Sequence, residues 1–358
     1  MLVYITPIAI LYISSYVKGE RVKKYIFVFS CIYLAVVSGI RYMVGTDYNI
    51  QVSYYNWTLH GYTDNFLEPG FRKYIYSIDR FFGKIDWFFI IASIFVMFAF
   101  AFAISKFVNK KYRIVALAIY ITSTVFFATM NIERQYIAIG FLIFSLYFLF
   151  QNKYIFTMIF YCLAISFHQS ASVFLIYYIL YFIARKIGIK KMLKIYELLI
   201  YISVFFLIVD IRPIIIKLSD LLPLGKYAGY LTSVFFQNRE MDSMLKCIVP
   251  TILAIYIIEK FNNICIENEY IEYLFHGLFI YVLINNLFYG INIFLRVNMY
   301  FEWFMIVILP SVISTGKDAV SRASIKTILL TYFLLLTIYA IFINNGHSVL
   351  PYQTIFSN

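Results

Sequence analysis

Apolar runs long enough to cross a bilayer recur along this 358-residue chain, and nothing else in it limits the possible folds as strongly. A spanning helix needs about 20 apolar residues, roughly 17 at the short end. Runs of this kind fall at about 2–17, 25–40, 87–105, 114–130, 136–150, 154–167, 170–184, 195–209, 246–258, 271–289, 297–314 and 327–344. They predict an all-α polytopic integral membrane protein with about twelve transmembrane helices, residues 1–358 forming one transmembrane domain. Only 13% of residues are charged and 63% are apolar, whereas a soluble domain carries about a quarter charged residues. Met1 to Val17 lacks a basic leader and a small-residue cleavage site, so it reads as a retained helix.

The net charge of +12 would suggest nucleic acid in a soluble protein. Here 18 of the 30 Lys and Arg residues sit in short loops at 18–24, 106–113, 153, 185–194, 260 and 317–326. Basic short loops face the cytoplasm. That places both termini and two long loops, 41–86 and 210–246, on the extracytoplasmic side, and no nucleic-acid partner is expected. Phe71 to Phe82 and Ile214 to Leu218 have the pattern of short interfacial helices within those loops. The four cysteines form no CxxC pair or His/Cys cluster, so neither a disulfide framework nor a metal is expected.

Polar chemistry gathers at the outer junctions. Gly39-Ile-Arg-Tyr-Met-Val-Gly-Thr-Asp-Tyr48 begins where the second run ends. Arg41 suits the last turn of a helix, where a cation complements the dipole, and Asp47 suits the cap of the next one. Glu68-Pro-Gly-Phe71 puts a carboxylate at a helix start. Asn131-Ile-Glu-Arg-Gln135 joins two apolar runs with adjacent opposite charges, which calls for other partners for Glu133 and Arg134. His168, in Ser166-Phe-His-Gln-Ser-Ala171, is a group suited to proton transfer near neutrality. Arg296, in Arg296-Val-Asn-Met-Tyr-Phe301, stands near a helix start, against the dipole, and an anionic ligand would explain it. Asn285, Asn286 and Asn292 are nearby donors, and Glu302 is a counterion for it.

Arg41, Asp47, Glu68, Arg134, His168 and Arg296 are therefore expected in one outer cavity. Three guanidinium groups there would repel unless they held an anion such as a diphosphate. The base is Asp47, Glu68 or His168.

These five motifs, in this order among the apolar runs, resemble the EpsG-type branch of the Wzy polysaccharide polymerases. The string at 39–48 is the most specific, and the signal extends to about residue 315. The resemblance implies a GT-C-like glycosyltransferase in the bacterial cytoplasmic membrane. It would join undecaprenyl-diphosphate-linked oligosaccharide repeat units at the outer face without metal or cofactor, and Tyr48, Tyr54, Tyr55, Trp57 and Gln135 would then be the residues expected to bind glycan, the aromatics by stacking. A flippase and a chain-length regulator are the implied partners, and capsule, exopolysaccharide or O-antigen the product. A lipid-linked oligosaccharide transporter or a polymer ligase would share the basic cavity. A transporter, however, usually carries inverted repeats and midplane sites, and neither is evident in this sequence.

Overall fold

The computed structural model describes residues 1–63, 66–219, 233, 236 and 244–357. It divides into two units, Met1–Ser172 with Gly316–Asn358, and Val173–Thr315. Helices account for nearly all of its regular structure. Among the described residues the one β feature is an isolated antiparallel bridge between Arg41 and Thr354.

The first unit contains α1 (Leu2–Ser14), α2 (Glu20–Gly39), α3 (Tyr48–Leu59), α4 (Pro69–Phe82), α5 (Asp86–Phe107), α6 (Arg113–Thr122), α7 (Val125–Thr129), α8 (Glu133–Phe150) and α9 (Tyr154–Phe167). A 3-10 turn (Gln169–Phe174) carries the chain from the first unit into the second, which contains α10 (Leu175–Ile187), α11 (Ile189–Val204), α12 (Arg212–Ser219), α13 (Leu245–Glu259), α14 (Phe261–Glu267), α15 (Ile271–Leu287), α16 (Asn292–Glu302) and α17 (Phe304–Val312). α18 (Ala319–Thr337) returns to the first unit.

Each of the twelve apolar runs overlaps a helix, yet fewer helices span by themselves. Five described stretches are long and apolar enough to cross a membrane: α2, α5, α8, Gln169–Ile187 and Ala319–Ile343. Ile293–Glu302 with Phe304–Thr315, bent by 52°, makes a sixth if it is one span. Local backbone breaks account for the shortfall. The run at 114–130 is cut between α6 and α7, where Thr124 takes a left-handed φ of 72°. The helices Leu2–Ser14, Tyr154–Phe167 and Ile271–Leu287 are apolar but shorter.

Small residues bring the helices of the first unit close. A Cβ on Gly39 of α2 would lie 3.1 Å from the Ile90 backbone of α5, and Ser38 bonds Ser93 beside it at 2.9 Å. Gly140 of α8 likewise admits the Phe95 ring. The loop at 41–86 is itself helical. Pro69 starts α4 with its preset φ, Gly83 ends it at φ 63°, and Phe71, Ile75 and Ile78 form its buried stripe. Residues 71–82 are thus helical, as their pattern predicts, and a second helix, α3, precedes them within the same loop. Tyr55 bonds Asp79 at 3.0 Å, and Tyr76 bonds the Thr58 carbonyl at 2.8 Å, which fastens α3 to α4. The expected helix at Ile214–Leu218 lies within α12, and most of the loop beyond it falls outside the described residues.

In the second unit buried asparagines join a hydrogen-bond network. Asn286 donates to Ser203 and Thr251, and Asn298 donates to Asn285 and to the Tyr281 carbonyl. Unpaired amides are costly in an apolar interior, so this network fixes which helix faces meet.

Candidate active site

The site is assembled around Glu68. This residue occupies the N-cap position of α4 but makes no side-chain cap bond to that helix. Its carboxylate reaches the break after α9 instead. Oε1 accepts from the Gln169 backbone N–H at 2.9 Å and lies 3.2 Å from Nδ1 of His168. Oε2 accepts from Arg134 Nη1 at 3.0 Å. Burial alone would raise the Glu68 pKa. The His168 hydrogen bond, the Gln169 N–H and the Arg134 charge outweigh it and hold the carboxyl at about 2. Glu68 is therefore an anion and a hydrogen-bond acceptor at neutral pH.

Two backbone features make this meeting possible. α9 stops at His168, which adopts extended geometry, so the next N–H is free to donate. Gly70, two residues beyond Glu68, packs directly on Ser166, and a Cβ there would come within 2.8 Å of the Ser166 carbonyl oxygen. Only glycine permits that approach.

Arg134, on the first turn of α8, is held on two sides. Its guanidinium carbon lies 4.8 Å from the Tyr54 ring centre and 5.5 Å from that of Phe71. Arg134, Glu68 and His168 keep 19%, 15% and 24% of their side chains exposed, so the cluster is sheltered but reachable. Tyr54 extends the aromatic surface outward, with Trp57 and Phe66 each 6.2 Å from its ring. Trp57 is 42% exposed.

Arg41 has a different setting from the one expected for a ligand-binding residue. Its side chain is 0% exposed and pairs with Glu133 at 2.7 Å. It also donates to the carbonyls of Ser38 and Met130 and stacks 4.7 Å over Phe89. Glu133 and Arg134 thus pair with different partners, Arg41 and Glu68, as their adjacency in sequence required. An arginine packed this way pins α2, α5 and α8 together, and no face of it is open to an anion.

The remaining expected residues divide by exposure. Tyr48 is buried and stacks on Phe89 at 4.6 Å. Tyr55 is buried against α4, and burial together with Asp79 pushes its phenol up to about 12. Gln135 is buried in α8. The two tyrosines serve packing, because α3 folds as a helix whose inner face meets α4 and α5. Asp47 is half-buried at the N-cap of α3, and its N–H faces the Asn131 side chain. Arg296 is exposed on α16 in the second unit. Asn285 and Asn286 are committed to the buried network described above.

No sequence motif marks the C-terminal segment. Residues 346–355 run along the 40–46 stretch. Tyr42 N–H donates to Gln353, Gly45 to Ser348, Thr46 to His347, and Ile355 to Ile40. These are backbone bonds, which leave no side-chain pattern to read.

The family model for the EpsG family matches residues 24–354. Neither a curated protein nor a solved structure matches the chain.

Proposed function

Since the chain belongs to the EpsG family, we propose that it is a polysaccharide polymerase that joins lipid-linked oligosaccharide repeat units on the extracytoplasmic side of a bacterial cytoplasmic membrane. The observation carrying this reading is the Arg134–Glu68–His168 cluster, in which a cation and an oriented imidazole share one carboxylate. Short basic loops at the opposite helix ends support the sidedness. Lys326, for example, donates to the Ser15 carbonyl there. The apolar runs are read as twelve spans, the shorter ones completed by bent or broken helices.

The reaction is a single displacement. An acceptor sugar hydroxyl attacks the anomeric carbon of the donor chain. The bond from that carbon to the diphosphate oxygen breaks, and undecaprenyl diphosphate leaves with the electron pair. The hydroxyl proton passes to His168, and the anomeric centre inverts. Glu68 accepts only, so a neutral His168 carries its proton on Nδ1 and keeps the Nε2 lone pair for the transfer. This assigns the base to His168 and makes Glu68 its positioning residue. The leaving group already bears its charge, so no general acid is required. The proposed diphosphate ligand of the first unit is Arg134, whose remaining N–H groups suit phosphate oxygens, and the exposed Arg296 of the second unit is proposed separately as an anion ligand. Arg41 instead ties α2, α5 and α8 together. Tyr54 and Trp57 offer ring faces for sugars.

Host cells carrying only Arg134→Ala or Arg296→Ala in place of the native gene test the reading. The expected phenotype is single repeat units on lipid and no polymer, with the protein at normal level in the membrane. Normal polymer in both strains would refute the diphosphate assignment. A transporter would instead leave the repeat units inaccessible from outside the cell.

A further inference from the structure

One buried polar residue connects all parts of this region, and neither the family match nor the mechanism above gives it a role. Asn131 is 2% exposed and lies in the turn between α7 and α8, two residues before Glu133 and three before Arg134. Its Nδ2 donates to the His347 carbonyl at 3.2 Å. The same carbonyl accepts from the Thr46 N–H at 3.0 Å. Asn131 Oδ1 faces the Asp47 N–H at 3.5 Å, and its main-chain oxygen faces Gln51 Nε2 at 3.4 Å. Gly45 makes room for it. At φ 109°, a Cβ on Gly45 would sit 2.6 Å from Asn131 Oδ1.

Three chain segments distant in sequence therefore converge on one amide. The C-terminal segment is not a loose end here. Its antiparallel bridge at Arg41–Thr354, the Tyr352 hydroxyl on the Val37 carbonyl at 2.7 Å and the Tyr4 hydroxyl on the Val349 carbonyl hold it along the end of α2. Asn345 supports it by clasping both backbone groups of Leu350, at 3.0 and 2.7 Å. Through Asn131 the segment is tied to the turn that launches Arg134, and Arg134 in turn orients Glu68.

We propose that Asn131 is a positioning residue for glycosyl transfer: it latches the C-terminal segment to the Asp47 turn and to the start of α8, so that Arg134 is presented to Glu68 in fixed register. This rests on the polymerase reading above. A buried amide with both ends engaged gives directional constraint that apolar packing at the same place would not.

The substitution Asn131→Asp keeps the shape and the acceptor for Asp47 but removes the donor to His347. Asn131→Gln keeps both donor and acceptor on a longer arm. Each variant, with the wild type, is assayed in membranes from the native host carrying their own lipid-linked repeat units. Consumption of those units is followed against their concentration. The expected result is a kcat at least tenfold lower for Asn131→Asp, a KM within about twofold, and partial recovery in Asn131→Gln. An unchanged kcat in Asn131→Asp, equal losses in both variants, or a rise in KM alone would overturn the proposal. If Asn131→Asp elutes as aggregate, Asn131→Ser replaces it, with the same expected fall in kcat and the same contrary result. Failure of the polymerase reading is distinguishable, because His168→Gln would then consume repeat units at the wild-type rate.

Discussion

Glu68 and His168 are a hundred residues apart in sequence, and Oε1 of one stands 3.2 Å from Nδ1 of the other. The carboxylate also holds Arg134 through its second oxygen, so one side chain aligns the imidazole and the guanidinium together. Substituting either partner of the dyad should therefore affect chemistry. His168→Ala is expected to lower the polymerisation rate by about a hundredfold or more, the usual contribution of a positioned base. Glu68→Gln, which can still accept at one oxygen, should fall between that variant and wild type. Rates measured on protein of equal monodispersity check this order.

Acid should weaken the same junction. Glu68 titrates at about 2 in the folded chain against an ordinary 4.5. A carboxyl with a depressed pKa adds stability above its unfolded value and loses it as the pH falls through the folded one. The contribution, about 3 kcal/mol, is complete above pH 4.5 and vanishes toward pH 2. Thermal unfolding in detergent should show wild type more stable than Glu68→Gln at pH 7, with the gap closing between pH 4.5 and 2.

Gly70 offers a steric test. A methyl there would meet the Ser166 Oγ and carbonyl oxygens closer than contact allows. Gly70→Ala should lift the start of α4 off α9, cost about 1–3 kcal/mol as overpacking, and sharply reduce turnover. Adding Ser166→Ala should not restore it, because the backbone carbonyl remains in the way. Polymer assays on the single and double variants read this directly.

Arg41 and Arg134 should behave oppositely. Arg41 and Glu133 form an enclosed ion pair, and removing one partner strands a buried charge at about 3–5 kcal/mol. Arg41→Ala should thus reduce the amount of folded protein. Arg134→Ala, at a partly exposed position, should leave the folded yield nearly intact and abolish polymer. Detergent size-exclusion profiles alongside polymer gels separate the two effects.

That contrast also marks what sequence can reveal here. Apolar runs identify helices because lipid-depth backbone must bond internally, and charged residues at the junctions are conspicuous against them. Glu68, Arg134 and His168 were legible for that reason. Whether a guanidinium at a helix end faces outward or inward depends on its neighbours, and Phe89, Glu133 and the Met130 carbonyl enclose Arg41. Tyr48 and Tyr55 looked like glycan platforms because the periodicity of α3 is blurred by polar residues on both faces. The C-terminal clasp was invisible, since the bonds that lay it along residues 40–46 are made by backbone groups that any sequence carries.

The most direct test uses purified protein in lipid nanodiscs supplied with lipid-linked repeat units extracted from the native host. Wild type should convert them into ladders of higher polymer and release the lipid diphosphate in equal number to the bonds formed, while His168→Ala and Arg134→Ala leave single units. Ladders of wild-type length from the His168→Ala protein, or none from wild type with units of verified structure, would contradict the account.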